Sequence, residues 1–162
     1  MKKLMVSTIK YIMFGPEAIQ LFRFSSWLWR KGGFFRKLSV VYKRKIQIKF
    51  SCYLSPQAVV GEGLMLPHPT GIVIGDGVII GDGVTIYQGV TIGASRVGDG
   101  VKGLYPVIGD GVIIYAGAKV IGSIKIGNRS VIGANSVVCE NVPDDAVAVG
   151  IPARVRERRD IN

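Results

Sequence analysis

The chain has 162 residues, 48% of them hydrophobic, and a formal net charge of +10. That length suits one domain with at most a small appendage, and the apolar content supplies a core and excludes a disordered chain. The charge is lopsided: residues 1–50 hold 12 Lys/Arg against the single acid Glu17, whereas residues 51–162 hold 9 Lys/Arg and 10 Asp/Glu.

Residues 1–50 also hold both tryptophans and all six phenylalanines. Their opening, "MKKLMVSTIKYIMFGPEA", has the basic start of a signal peptide, but Lys10 interrupts its apolar run and no convincing small-residue cleavage site follows. No uninterrupted run of about 18 apolar residues is present to span a bilayer. The chain therefore reads as cytoplasmic. A helix is expected over residues 16–31, opened by Pro16 and stopped before Gly32-Gly33. The next stretch, "FFRKLSVVYKRKIQIKF", reads as a second basic, amphipathic segment, helical or partly strand. Two roles compete for residues 1–50. One is a helical cap over the open end of a repeat fold. The other adds peripheral contact with the inner face of a membrane through Lys/Arg and Trp/Phe. No nucleic-acid-binding motif accompanies the charge, so nucleic acid is not an expected partner.

From Ile74 the chain divides into sixes, "IGDGVI IGDGVT IYQGVT IGAS", and from Ile108 the sixes resume as "IGDGVI IYAGAK VIGSIK IGNRSV IGANSV VCENVP". The first position is always β-branched: Ile74, Ile80, Ile86, Ile92, Ile108, Ile114, Val120, Ile126, Ile132 and Val138. The fifth is small or aliphatic, from Val78 through Ala118 to Val142. A period of six does not fit 3.6 residues per turn, and glycine recurs too often for a helix interior. Short strands joined by tight turns, three to a coil, do fit. They give a mainly β architecture over residues 51–150, a parallel β-helix of triangular section and about five coils. Residues 18 apart then stack on successive coils. Handedness is not legible in this pattern, because the general rule for crossovers is right-handed. Residues 151–162 read as a C-terminal tail.

Two breaks interrupt the period. Upstream the frame runs Leu54, Val60, Leu66, so two extra residues precede Ile74, and they surround His68, the only histidine. The second break, "SRVGDGVKGLYP", residues 95–106, reads as a protruding loop. Insertions in solenoids form surface loops at binding faces. His68 is thus a candidate catalytic group, with a structural histidine as the alternative. Cys52 and Cys139 have no metal or redox spacing and read as reduced thiols.

These repeats resemble the hexapeptide-repeat, left-handed β-helix acyltransferases, and within them the serine acetyltransferase branch. "LPHPTGIVIG" resembles the branch's histidine segment, with His68, Thr70 and Gly71 in place, and "YQGVTIGAS" its next coil. "VPDDAVAVGIPAR" resembles the family's close and "GPEAIQLFRFSSWLWRKGG" the helix before its β-helix, so the resemblance covers residues 15–156. It implies a left-handed coil, a homotrimer with sites between subunits, and acetyl transfer from acetyl-CoA to a hydroxyl with no metal. It also implies His68 as general base, with an oxyanion donor at Gly89 or Gly93. Gly93, Ala94, Ala116, Gly117 and Ala134 would leave room for the CoA arm, and Lys119 and Arg154 would meet its phosphates.

Three substrate-facing positions depart from the serine enzymes. The aspartate that pairs with the histidine is Tyr53 here, the acid preceding the histidine is Pro67, and an Arg-His pair in the loop is Leu104-Tyr105. Unpaired charges are costly to enclose, so a zwitterionic acceptor fits poorly, and tyrosines suit a sugar. The expected acceptor is a hydroxyl of a saccharide or exopolysaccharide repeat unit. Serine O-acetylation and a non-catalytic scaffold trimer are the alternatives. A carbonic-anhydrase-type zinc site needs more than one histidine, and a sugar nucleotidyltransferase needs a domain for which there is no room.

Overall fold

The computed structural model describes the backbone of residues 2–96 and 98–157, and the side chains of residues 17–96 and 98–156. Two helices, α1 (Lys2–Lys31) and α2 (Gly33–Phe50), lead into fourteen short strands. The strands form three sheets, the faces of a prism. The first holds β1 (Tyr53–Leu54), β3 (Val73–Ile74), β6 (Thr91–Gly93), β9 (Lys119–Ile121) and β12 (Val137–Val138). The second holds β2 (Val59–Val60), β4 (Ile79–Ile80), β7 (Val107–Ile108) and β10 (Lys125–Ile126). The third holds β5 (Thr85–Ile86), β8 (Ile113–Ile114), β11 (Val131–Ile132), β13 (Ala146–Gly150) and β14 (Ala153–Glu157). Neighbouring strands pair in parallel except β13 with β14. This is the expected parallel β-helix of five coils.

The repeat explains the core. All ten first-position residues are at most 2% exposed, and they stack in register, as in Ile86↔Ile114↔Ile132. The fifth positions from Val78 to Ser136 are buried beside them. Val142 is the exception to the expected frame. It bridges Ile126 and so stands in the ladder, not at a fifth position. The last coil is two residues short there, and Asp144 fixes the register by accepting the Asn128 N–H at 2.8 Å.

That bond is the last of a ladder along the corner between the second and third faces. Each side chain accepts the N–H of the residue one coil earlier: Asp82 from Glu62, Asp110 from Asp82, Asn128 from Asp110. The residue preceding each donor must be glycine. At Gly127 an added Cβ would lie 2.3 Å from the Asp144 nitrogen and 2.4 Å from the Pro143 carbonyl carbon, both backbone. Gly127→Ala should therefore lower unfolding stability by about 1–3 kcal/mol, as overpacking does. Gly93→Ala, with nothing within 4 Å of its Cβ, should stay within about 0.5 kcal/mol. Denaturant midpoints of the two variants check this, and equal midpoints would remove the ladder from the account.

Two expectations need correction. The first helix begins at Lys2 and runs through Pro16, whose fixed φ is helical although it has no N–H to donate. The second segment is helical, the first of its two expected readings. The expected tail instead supplies β14, which closes the far end of the prism by antiparallel pairing with β13. At the near end, Phe22 and Ile46 join the core cluster of Leu54 and Leu66. Arg23 donates to the Gly61 carbonyl at 2.7 Å and pairs with Glu62. Lys49 pairs with Glu17.

Candidate active site

His68 lies on the corner between the third and first faces. On the next coil only Tyr87, Gln88 and Gly89 separate the ladder residue Ile86 from buried Val90, whereas five residues separate Leu66 from Ile72. The two extra residues push Pro67, His68 and Pro69 outward, where the Thr70 N–H closes a tight turn on the His68 carbonyl at 2.8 Å. The His68 side chain is exposed, and no described side chain hydrogen-bonds it.

The ring against His68 is that of Tyr87, centroids 6.4 Å apart, and Tyr87 stacks on Tyr115 at 5.3 Å. Tyr53, at the position of the family's pairing aspartate, has the Lys43 ammonium 5.0 Å from its ring centroid. The aromatic column was not anticipated, yet a signal exists. The units "IYQGVT" and "IYAGAK" carry tyrosine where "IGDGVI" carries glycine. Gln88, in the same turn, has a buried Oε1 without a partner among the described residues.

Behind this column the corner is lined by residues in the left-handed region: Gly71 (φ 64), Gly89 (φ 68), Gly117 (φ 75) and Asn135 (φ 56). They are linked along the axis, as Gly89 N–H donates to the Thr70 carbonyl at 3.0 Å and Asn135 N–H to the Ala116 carbonyl at 2.9 Å. Ala116 and Ala134 therefore sit one above the other, as their spacing suggests. Two suggested roles are altered. The Gly89 N–H is committed to Thr70, which removes it as an oxyanion donor. Lys119 donates to the Gly89 carbonyl at 2.6 Å, which ties its ammonium to the corner.

The remaining candidates are scattered. Gly93 ends β6 and Ala94 follows it on the opposite edge of the first face, where the 95–106 loop begins. Arg154 is exposed on β14. It lies five strand spacings from the coil of His68, about 24 Å along the axis. Tyr105, at the end of the loop, lies over Gly75 and Gly77, and a Cβ at Gly77 would be 2.3 Å from its ring. Burial, with Asp76 and Tyr53 nearby, pushes the Tyr105 hydroxyl up from its ordinary range. Beneath it opens a cleft of ≈ 590 Å³ lined by Gln57, Asp76, Gly77 and Tyr105. Asp76 accepts a 2.6 Å bond from Ser55 there. Among the described residues no group of three or more His, Cys, Asp or Glu could hold a metal.

The sequence profile of the bacterial transferase hexapeptide (six repeats) matches residues 105–140. The repeat matched there is that of the hexapeptide transferases, and the chain has the left-handed β-helix of its structural neighbours. Its particular likeness is to the serine acetyltransferases. The enzyme of Salmonella typhimurium is 40% identical over 141 residues, covering 87% of this chain and 50% of the relative. That of Buchnera aphidicola (Acyrthosiphon pisum) is 41% identical over the same shares. The soybean serine acetyltransferase complexed with serine superposes with a TM-score of 0.80 at 40% identity, covering 86% of this chain and 56% of that one. The chain thus spans about half the length of the curated relatives it matches.

Proposed function

We propose that the chain is an acetyl-CoA-dependent O-acetyltransferase in which His68 is the general base. The observation that carries the reading is the position of the sole imidazole: exposed, without a hydrogen-bonding partner in the described chain, and held out by a lengthened corner beside Tyr87. Serine acetyltransferase structures with CoA and with serine have the same fold at 37% and 40% identity. The imidazole takes the hydroxyl proton as the oxygen attacks the thioester carbonyl. Collapse of the tetrahedral intermediate forms the ester and expels the CoA thiolate, which takes up a proton to leave as the thiol.

The site is proposed to be completed in a homotrimer. Gly89, Ala116, Gly117 and Ala134 line one edge of the first face, whereas Gly93, Ala94 and the loop line the other. Packing of neighbouring prisms would bring a His68 edge to a loop edge, in a cytoplasmic enzyme. Among the described residues no helix is long and apolar enough to cross a membrane.

L-serine is the acceptor supported by the relatives, and the likeness favours it over the saccharide expected from the sequence. A saccharide hydroxyl is the second reading, favoured by Tyr53, Pro67 and Tyr105 where charged groups would meet a zwitterion. Release of CoA thiol from acetyl-CoA, with L-serine or with a panel of sugars and polysaccharide, separates the two. Serine-dependent release is the expected result. Release only with saccharide would move the acceptor to the second reading, and none with any acceptor would leave a non-catalytic trimer.

A further inference from the structure

We propose that the outward face of α2 docks on an anionic lipid surface, an inference independent of the acetyl-transfer reading. Ser39 and Ile46 are the buried residues of α2 and define its inner side. The opposite side of a surface helix is ordinarily polar. Here it carries Phe34, Val41 and Ile48, seven residues apart and 75%, 49% and 77% exposed. Lys37, Arg44 and Lys45, all exposed, stand between them. The helix contains no acidic residue. The surface continues onto α1 through rings in contact. The Lys45 ammonium lies 4.9 Å from the Tyr42 ring centroid, Tyr42 meets Phe24 edge-on at 4.8 Å, and Phe24 stacks on Trp27 at 5.7 Å.

Charge selects the occupant. A second copy laid on this face would oppose cations with cations, with no carboxylate on α2 to answer them. Glu17 on α1 and Glu62, which faces Arg23 of α1, already pair with Lys49 and Arg23. Large apolar side chains spaced two turns apart, with lysine and arginine between them, form the pattern of a helix lying in a membrane interface. The apolar groups enter the headgroup boundary, and the cations meet lipid phosphates. The helix lies on the surface and does not span it.

Flotation of the full chain with vesicles tests this. It should bind vesicles containing phosphatidylglycerol and not those of phosphatidylcholine alone, with a blue shift of tryptophan emission, and salt should weaken the binding. The Lys37→Glu/Arg44→Glu pair should lower partitioning at least about tenfold, and Phe34→Ser/Ile48→Ser should also abolish most of it. Both pairs are exposed, so circular dichroism melts should match the parent. No binding by the parent overturns the proposal, as does equal binding to both lipids or undiminished binding by the charge-reversed pair. Concentration-dependent self-association removed by Phe34→Ser/Ile48→Ser, without a change in flotation, would assign the face to a second copy and overturn it as well.

Discussion

Replacing His68 with alanine is expected to lower acetyl-CoA turnover by about 10²–10⁴-fold, the range a positioned general base contributes. The same change should leave stability within about 0.5 kcal/mol, because the imidazole is exposed and no described side chain hydrogen-bonds it. The combination separates catalysis from folding. A structural histidine would show the reverse, with a lowered melt and the thiol-release rate merely scaled by the folded fraction. No second histidine exists to take over, so residual activity would come from binding and positioning alone. Full activity in His68→Ala would remove His68 as base and the proposed mechanism with it.

The prism was legible because its physics is periodic. A six-residue period with a β-branched first position admits one economical arrangement, and the ten ladder residues are buried as that arrangement requires. What escaped was aperiodic. Valine suits either a ladder or a fifth position, so Val142 could not declare its place. The decision lies in a side-chain-to-backbone bond at Asp144, two residues on. The helical course of "FFRKLSVVYKRKIQIKF" was obscured by its own outward face, where Val41 and Ile48 break the expected amphipathic pattern and add β-branched side chains. At the candidate site the two extra residues mark the lengthened corner that carries His68. Its aromatic neighbour, however, is set by stacking one coil away, with a lengthened corner between. Tyr105 shows the same limit. Its seat over Gly75 and Gly77 depends on how the 95–106 loop folds back, and neither glycine is near it in sequence.

Truncating Ile114 to alanine is expected to lower unfolding stability by about 2–5 kcal/mol, the cost of a large-to-small change in a core that collapses only partly. Ile114 is fully buried in the middle coil, in register with Ile86 on one side and Ile132 on the other. A solenoid is held together by contacts between neighbouring repeats. A cavity at Ile114 therefore weakens two coil interfaces at once, whereas Val138→Ala, on the last coil, should cost less. Ile114→Val, which removes one methyl, should cost about 0.5–1.5 kcal/mol. Urea midpoints at unchanged slope measure all three. The site should feel the change too, because Tyr115 follows Ile114 directly and stacks on Tyr87, the ring beside His68. At temperatures where the variant stays folded, thiol release should fall further for Ile114→Ala than for Val138→Ala. Equal stability losses at the two positions would mean that the ladder does not act through neighbouring coils. The aromatic column would then owe its placement to the corner turns alone.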